Sequence, residues 1–323
     1  MSQAHLFTNM TLAPDLSSKP YVHHELPETI NDKAEWQDCL RYLVTDLGWT
    51  EEFTDGDDKM VLRPAAGARP YIRFEWGKPD DRMIDVRMFE SMTDIDTGVN
   101  QTPTSGQRGT YGLQIRSAVG DTGNVDWFLL ADEERVLISP RSTQSGRGYQ
   151  FGLITVGGYN AYDAGDMGAL IWCNPSVGIN VSYSYGPIRG ADDISRSGGP
   201  YVFRKLDGTG TSTALRQIEN MGMGSTQYNA GVSSGAALEF PDPASGQLVM
   251  GPVIVREGRS LRGVVPGIMT HAHYSERVTG LVTNLTPTLL PGQGDFAGRE
   301  FIAVPTIVDT RPAYNTLILE LWK

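Results

Sequence analysis

The chain has 323 residues and a formal charge of −11, from 27 basic and 38 acidic side chains. That length is enough to bury about 75% of the surface its unfolded form would expose, and the acidic balance argues against nucleic acid as principal partner, since that contact needs a basic face. The 37 glycines and 19 prolines point to many turns between short strands. Two cysteines make neither a disulfide framework nor a metal site.

Both cysteines, Cys39 in DCLRYLV and Cys173 in ALIWCNP, stand in apolar runs and are expected to be buried free thiols. The start, MSQAHLFTNMTLAPDL, lacks a charged segment followed by an apolar one, so no secretory leader is expected. No apolar run approaches the ~18 residues of a spanning helix, so no membrane insertion is expected either.

Residues 1–31 are polar, carry Pro14, Pro20 and Pro27, and show neither helical nor strand period. They read as an extended arm, disordered or packed along a neighbour, with Leu6, Phe7, Leu12, Leu16 and Tyr21 to bury. A helix follows: Asp32 and Glu35 resemble a capping box,. Trp36, Leu40, Leu43, Val44 and Leu47 fall on one face,, and Gly48 is placed to end it. Two strand-like runs, 59–63 and 71–76, complete a small helix-plus-sheet module over residues 32–82.

From residue 83 onward the pattern is β. Runs at 84–89, 112–119, 127–131 and 135–139 read as strands, the last two joined by Asp132-Glu133-Glu134 as a hairpin turn,. Further strands are expected at 149–156, 168–173, 177–185, 248–255, 261–268, 301–304 and 316–322. The intervening GGYNAYDAGD reads as a loop, and 213–221 as a short helix. The whole is a mainly β, α+β fold: antiparallel sheets forming a sandwich- or barrel-like body over 83–323.

The candidate chemistry is thin. Asp55, Asp57 and Asp58 with Glu51 and Glu52 suggest calcium, but the calcium loop needs glycine at its sixth position and Met60 stands there,. A solvated acidic turn is expected instead. Asp94 and Asp96, two apart, fit side-chain capping of a turn. His271 and His273 would share a strand face, but a metal site needs a third ligand, with His23, His24 or Glu276 as the remaining donors. No G-x-S-x-G elbow occurs, and Gly157-Gly158 lacks the Lys-Ser/Thr of a phosphate loop. The glycosylation-type triplets at Asn9, Asn180 and Asn284 mean little without a leader. No catalytic, cofactor-binding or metal residue is assigned, and no enzymatic activity or cofactor is expected.

Five phrases, in order, carry a resemblance: MFESMTDIDTG (88–98), DWFLLADEERVLIS (126–139), YQFGLITVGGYNAYDAGD (149–166), FPDPASGQLVMGPVIV (240–255) and LRGVVPGIMTHAH (261–273). Together they resemble a family of tailed-bacteriophage virion proteins. Its members have a tryptophan-bearing strand ending in an Asp-Glu-Arg turn, here Trp127 with Asp132 to Arg135. They also share a Phe-Gly strand leading to a Gly-Asp loop (Phe151-Gly152, Gly165-Asp166), a Pro-Asp-Pro turn (Pro241 to Pro243), and Leu-Arg-Gly before Pro-Gly (Leu261 to Gly263, Pro266-Gly267). The chain departs where an aspartate often follows the Phe-Gly pair and Leu153 stands instead.

The resemblance covers roughly residues 36–310 and implies a structural component of the virion, made in the host bacterial cytoplasm. Its partners would be other virion proteins and further copies of itself, with a tail-tip or baseplate position preferred to a neck or capsid-decoration one. Contact with the host surface is a further expectation. Two other classes stay open: a carbohydrate-binding adhesin using Tyr159, Tyr162, Tyr183 and Tyr185, and a hydrolase with carboxylates or histidines converging near Asp94, Asp96 or His271.

Overall fold

Apolar side chains three and four residues apart need a partner surface, and the helix Lys33–Leu47 finds one. Trp36, Leu40, Leu43 and Leu47 are buried, as is Cys39 between them. Gly48 leaves the helix at φ +68°, and the N–H of Trp49 closes the end on the Leu43 carbonyl at 3.2 Å. In this computed structural model the described residues are 5–8, 22–25, 33–77, 83–103, 113–116, 125–144, 148–151, 153–174, 188–189, 201–208, 213–214, 217–219, 243–257, 259–271, 288–305 and 316–321. The suggested cap at Asp32 and the strand at 177–185 lie outside them.

Three large sheets carry the chain. The N-terminal sheet runs Ile188–Arg189, Leu113–Arg116, Met83–Phe89, Tyr71–Trp76, Lys59–Arg63, Thr50–Thr54, all antiparallel. The central sheet runs Thr213–Ala214, Tyr201–Val202, Ala169–Asn174, Leu153–Gly158, Arg135–Gln144, Val125–Ala131, with Gly148–Phe151 on the far end of Arg135–Gln144. The C-terminal sheet runs Gln217–Glu219, Met250–Glu257, Ser260–His271, Thr316–Leu321, Glu300–Pro305, Thr288–Pro291. The fold is mainly β, with antiparallel sheets and one N-terminal helix. None of the sheets closes into a barrel among the described residues. No described helix is long and apolar enough to cross a membrane.

A single core joins the helix to two of these sheets. Alternate residues point inward: Met60 and Leu62, Ile72, Phe74 and Trp76, and Ile84, Val86 and Met88 from the N-terminal sheet. They meet Leu129 and Ala131, Val136 and Ile138, Ile154 and Val156, and Ala169 and Ile171 from the central one. This is the period of two that pleated strands impose. Tyr71–Trp76 pairs with Met83–Phe89 from Tyr71↔Phe89 to Trp76↔Ile84, so the boundary expected at residue 82 falls inside one sheet.

Three expectations change. The arm contributes strands to its own chain: His5–Thr8 lies antiparallel on Val125–Ala131, and Val22–Glu25 pairs parallel with His5–Thr8. Among the described residues of 213–221 strands stand in place of the expected short helix: Thr213–Ala214 and Gln217–Glu219 pair with Tyr201–Val202 and Met250–Glu257, and that pairing outweighs local propensity,. The loop GGYNAYDAGD carries a strand pair of its own, Asn160–Ala161 against Val264 and Gly263.

One turn meets four parts of the molecule. Asp132 Oδ1 accepts the N–H groups of Glu134 and Arg135 at 2.7 and 2.8 Å, and its carbonyl accepts the Trp49 indole N–H at 2.8 Å from the helix exit. Ala66 donates to the Glu133 carbonyl and Gly158 to that of Glu134, both at 3.0 Å. The Arg135 guanidinium pairs with Asp132 Oδ2 at 3.0 Å and reaches the Pro266 carbonyl at 3.0 Å. Gly157, at φ +132°, permits this approach: a Cβ there would lie 2.4 Å from the Glu134 carbonyl oxygen,.

Leu40→Ala or Leu43→Ala is expected to cost about 2–5 kcal/mol in urea unfolding, as for other fully buried leucines; a loss under ~0.5 kcal/mol would mean that this face is not core. Deleting residues 1–28 removes both outer strands and uncovers the edge of Val125–Ala131. The shortened chain is expected to unfold at lower urea and to aggregate more readily, and an unchanged midpoint would show that the arm adds nothing to its own sheet.

Candidate functional site

Arg262 stands between Leu261 and Gly263 on Ser260–His271, where strand alternation would put a charge into the interior, and it is only 2% exposed. Its charge is met on two sides. Nε donates to Asp166 Oδ2 at 2.6 Å and to the Tyr159 hydroxyl oxygen at 2.8 Å, and Nη1 donates to Glu257 Oε2 at 2.6 Å. The Tyr159 hydroxyl in turn donates to Asp166 Oδ2. Glu257 also accepts the Leu206 N–H at 3.2 Å, drawing the 203–208 turn into the same cluster.

Local geometry makes the cluster possible. Gly168 N–H is held by Asp166 Oδ1 at 3.0 Å, Gly165 N–H by Asp163 Oδ1 at 2.8 Å, and Tyr162 N–H by the Arg262 carbonyl at 2.9 Å. Gly263 has no side chain because a Cβ there would sit 2.2 Å from the Asn160 carbonyl oxygen. The loop 159–168 is thereby fastened to the C-terminal sheet through backbone and charge together.

Electrostatics follow from burial. Burial opposes the Arg262 charge, but the hydrogen bonds to Asp166 and Tyr159 and the charge of Asp166 outweigh it, so its pKa lies above the ordinary guanidinium value,. Burial, then the hydrogen bond to Asp166, pushes the Tyr159 phenol well above the ordinary tyrosine range. The phenol stays protonated and neutral, a donor to Asp166 and an acceptor from Arg262.

Beside this cluster lies a cleft of about 320 Å³ lined by Glu90, Asp163, Asp166, Arg204, Lys205 and Arg262 among others. Arg204 pairs with both carboxylate oxygens of Glu90, at 2.7 and 2.9 Å, and Asn100 donates to the same carboxylate. Among the described residues no three metal-binding side chains converge.

A second polar cluster lies on the face of the N-terminal sheet turned away from the core. Arg73 is opposite Arg87, and Glu75 opposite Asp85, so like charges face each other across the strands. The compensation runs along each strand: Arg87 Nε meets Asp85 Oδ2 at 2.5 Å and Arg73 Nη2 meets Glu75 at 3.4 Å. Asp96 adds a contact to Arg73 at 3.5 Å and to Lys59 at 2.6 Å. The arrangement cross-links the Asp94–Thr97 turn to the sheet.

The acidic candidates take the structural roles expected of them. Asp55 Oδ1 accepts the N–H groups of Asp57 and Lys59 at 2.9 and 2.8 Å in an exposed turn. Asp94 Oδ1 accepts those of Asp96 and Thr97, both at 2.8 Å. Cys39 is a buried free thiol whose pKa burial pushes up to about 12. His271 ends its strand, while His273, Glu276, Tyr183 and Tyr185 lie outside the described residues. Of the remaining tyrosines, Tyr159 is 5% exposed and Tyr162 63%. Sequence reasoning met Asp166 and Arg262 only as motif positions of the resemblance, with no role attached, and missed Glu257, Glu90 and Arg204. The available signal was a single charged residue, Arg262, inside an apolar strand.

Comparison of the chain with protein-family models, with curated proteins and with solved structures finds no match.

Tyr159→Phe removes one partner each from Arg262 and Asp166 and is expected to cost about 1–3 kcal/mol at neutral pH. Because the folded phenol titrates above its unfolded value, its stabilisation is complete below about pH 10 and is lost as pH rises beyond it. Urea unfolding across that window should decline more steeply for the parent chain than for the variant; parallel curves would count against the buried phenol.

Proposed function

We propose that the chain is a structural subunit of a tailed-bacteriophage particle, acting through protein–protein interfaces, at the tail tip or baseplate in preference to the neck or capsid surface. The observation that carries this reading is where the five resembling phrases fall in the fold. DWFLLADEERVLIS contains the Asp132–Arg135 turn, YQFGLITVGGYNAYDAGD contains Gly157, Tyr159 and Asp166, and LRGVVPGIMTHAH contains Arg262, Gly263 and Pro266. MFESMTDIDTG contributes Glu90 and the Asp94–Asp96 turn, and FPDPASGQLVMGPVIV leads into the strand paired with that of Arg262. The positions that carry the resemblance thus include Asp132, Arg135, Asp166 and Arg262, which brace the sheets against one another.

The surface supports the same reading. Tyr162, Met167 and Leu261 are large apolar side chains left exposed, and they lie on the two segments that Arg262 joins. Stable interfaces bury upward of ~1,200 Å² in total, and apolar anchors of this kind give such contacts their strength. Further copies of the chain and other virion proteins are the partners implied. Labelled copies of the protein are expected at one end of the tail on intact virions, with the protein recovered from purified particles by mass spectrometry. Its absence from mature particles would overturn the reading.

A further inference from the structure

We propose that the cleft beside Arg262 binds a neutral hexose, as the exposed unit of a surface glycan. The cleft encloses about 320 Å³, within the range of small-molecule sites. Its wall contains a built, desolvated charge rather than surface side chains alone. The Arg262 side chain is 3% exposed, with Nε held by Asp166 and Tyr159 and Nη1 by Glu257. Nη2 has no partner among the described residues, and Arg262 lines the cleft.

The pairing of charges selects the ligand class. Glu90 is matched by a bidentate Arg204, and Arg262 by Asp166 and Glu257. An anion entering the cleft meets the carboxylates of Asp163 and Asp166, and a cation meets Arg262 and Lys205. A sugar hydroxyl donates and accepts at once, so adjacent hydroxyls can accept from Arg262 Nη2 and donate to Asp163, whose Oδ1 takes the Gly165 N–H and whose Oδ2 is left over. The cleft also has an apolar rim. Met167, an exposed side chain, and the buried Phe203 are part of its lining. Apolar surface there suits the C–H face of a pyranose ring.

Binding of this kind belongs to the isolated chain, so its failure leaves the proposed place in a particle untouched. Saturation-transfer NMR of the full chain with methyl α-glucoside, methyl α-galactoside and methyl α-mannoside, each against inorganic phosphate and spermidine, tests it. At least one glycoside is expected to receive saturation that neither phosphate nor spermidine abolishes. Met167→Ala and Asp163→Asn should each weaken that binding about tenfold, equivalent to about 1.4 kcal/mol. The thermal unfolding midpoint of Met167→Ala, a change at an exposed side chain, should stay unchanged. No saturation of any glycoside, binding untouched by both variants, or displacement by phosphate or spermidine would each overturn the proposal.

Discussion

The ion pair between Arg135 and Asp132 is the constraint on which the arrangement of this molecule depends. Both side chains are nearly buried, at 11% and 3% exposed, and a buried charge without its partner is strongly destabilising. The pair therefore holds only with the surrounding donors and acceptors in place. Those come from the helix exit at Trp49, the 64–70 connection at Ala66, the neighbouring strand at Gly158 and the C-terminal sheet at Pro266. Four segments remote in sequence thus share one turn, and none shifts without disturbing the charge at its centre.

Arg262 repeats the principle within Ser260–His271. Its guanidinium gathers a loop, a turn and a strand, through Asp166, Leu206 by way of Glu257, and the strand's own backbone. The two arginines meet Ser260–His271 close together, Arg262 from within it and Arg135 at the Pro266 carbonyl, and between those points lies Gly263, where the loop backbone leaves no room for a side chain. Polar groups here specify which surfaces meet, a task that the non-directional burial of Val253, Val255 and Val265 does not perform,. A cleft with matched charges and an apolar rim is a by-product of that bracing, and the same geometry makes it selective.

Much of the framework was legible because it is periodic. The helix face and the strands Lys59–Arg63 and Tyr71–Trp76 follow from spacing alone, since burial of one face imposes it. Thr50–Thr54 escaped notice because Glu51 and Glu52 break apolar alternation; on an edge strand they are half-buried, and Glu51 and Glu52 reach Arg41 and Arg63 at 3.5 and 3.7 Å. The arm strands His5–Thr8 and Val22–Glu25 escaped because four-residue segments carry too little pattern, and their pairing depends on an edge formed much later in the chain. The polar clusters were the least legible part. Asp166 reads as a loop residue and Glu257 as a strand-end charge until Arg262 lies between them, and no local spacing encodes that meeting.

The pairing of residue 5 with residue 131 also sets an order of events. His5–Thr8 is made long before Val125–Ala131, and it joins the central sheet only once that strand is available, itself paired with Arg135–Gln144. Closure entropy delays so remote a contact until nearer ones are formed. His5–Thr8 thus settles after the Val125–Ala131/Arg135–Gln144 hairpin, and through the interval of synthesis the exposed edge of the half-finished sheet is the place where another nascent chain would compete for it.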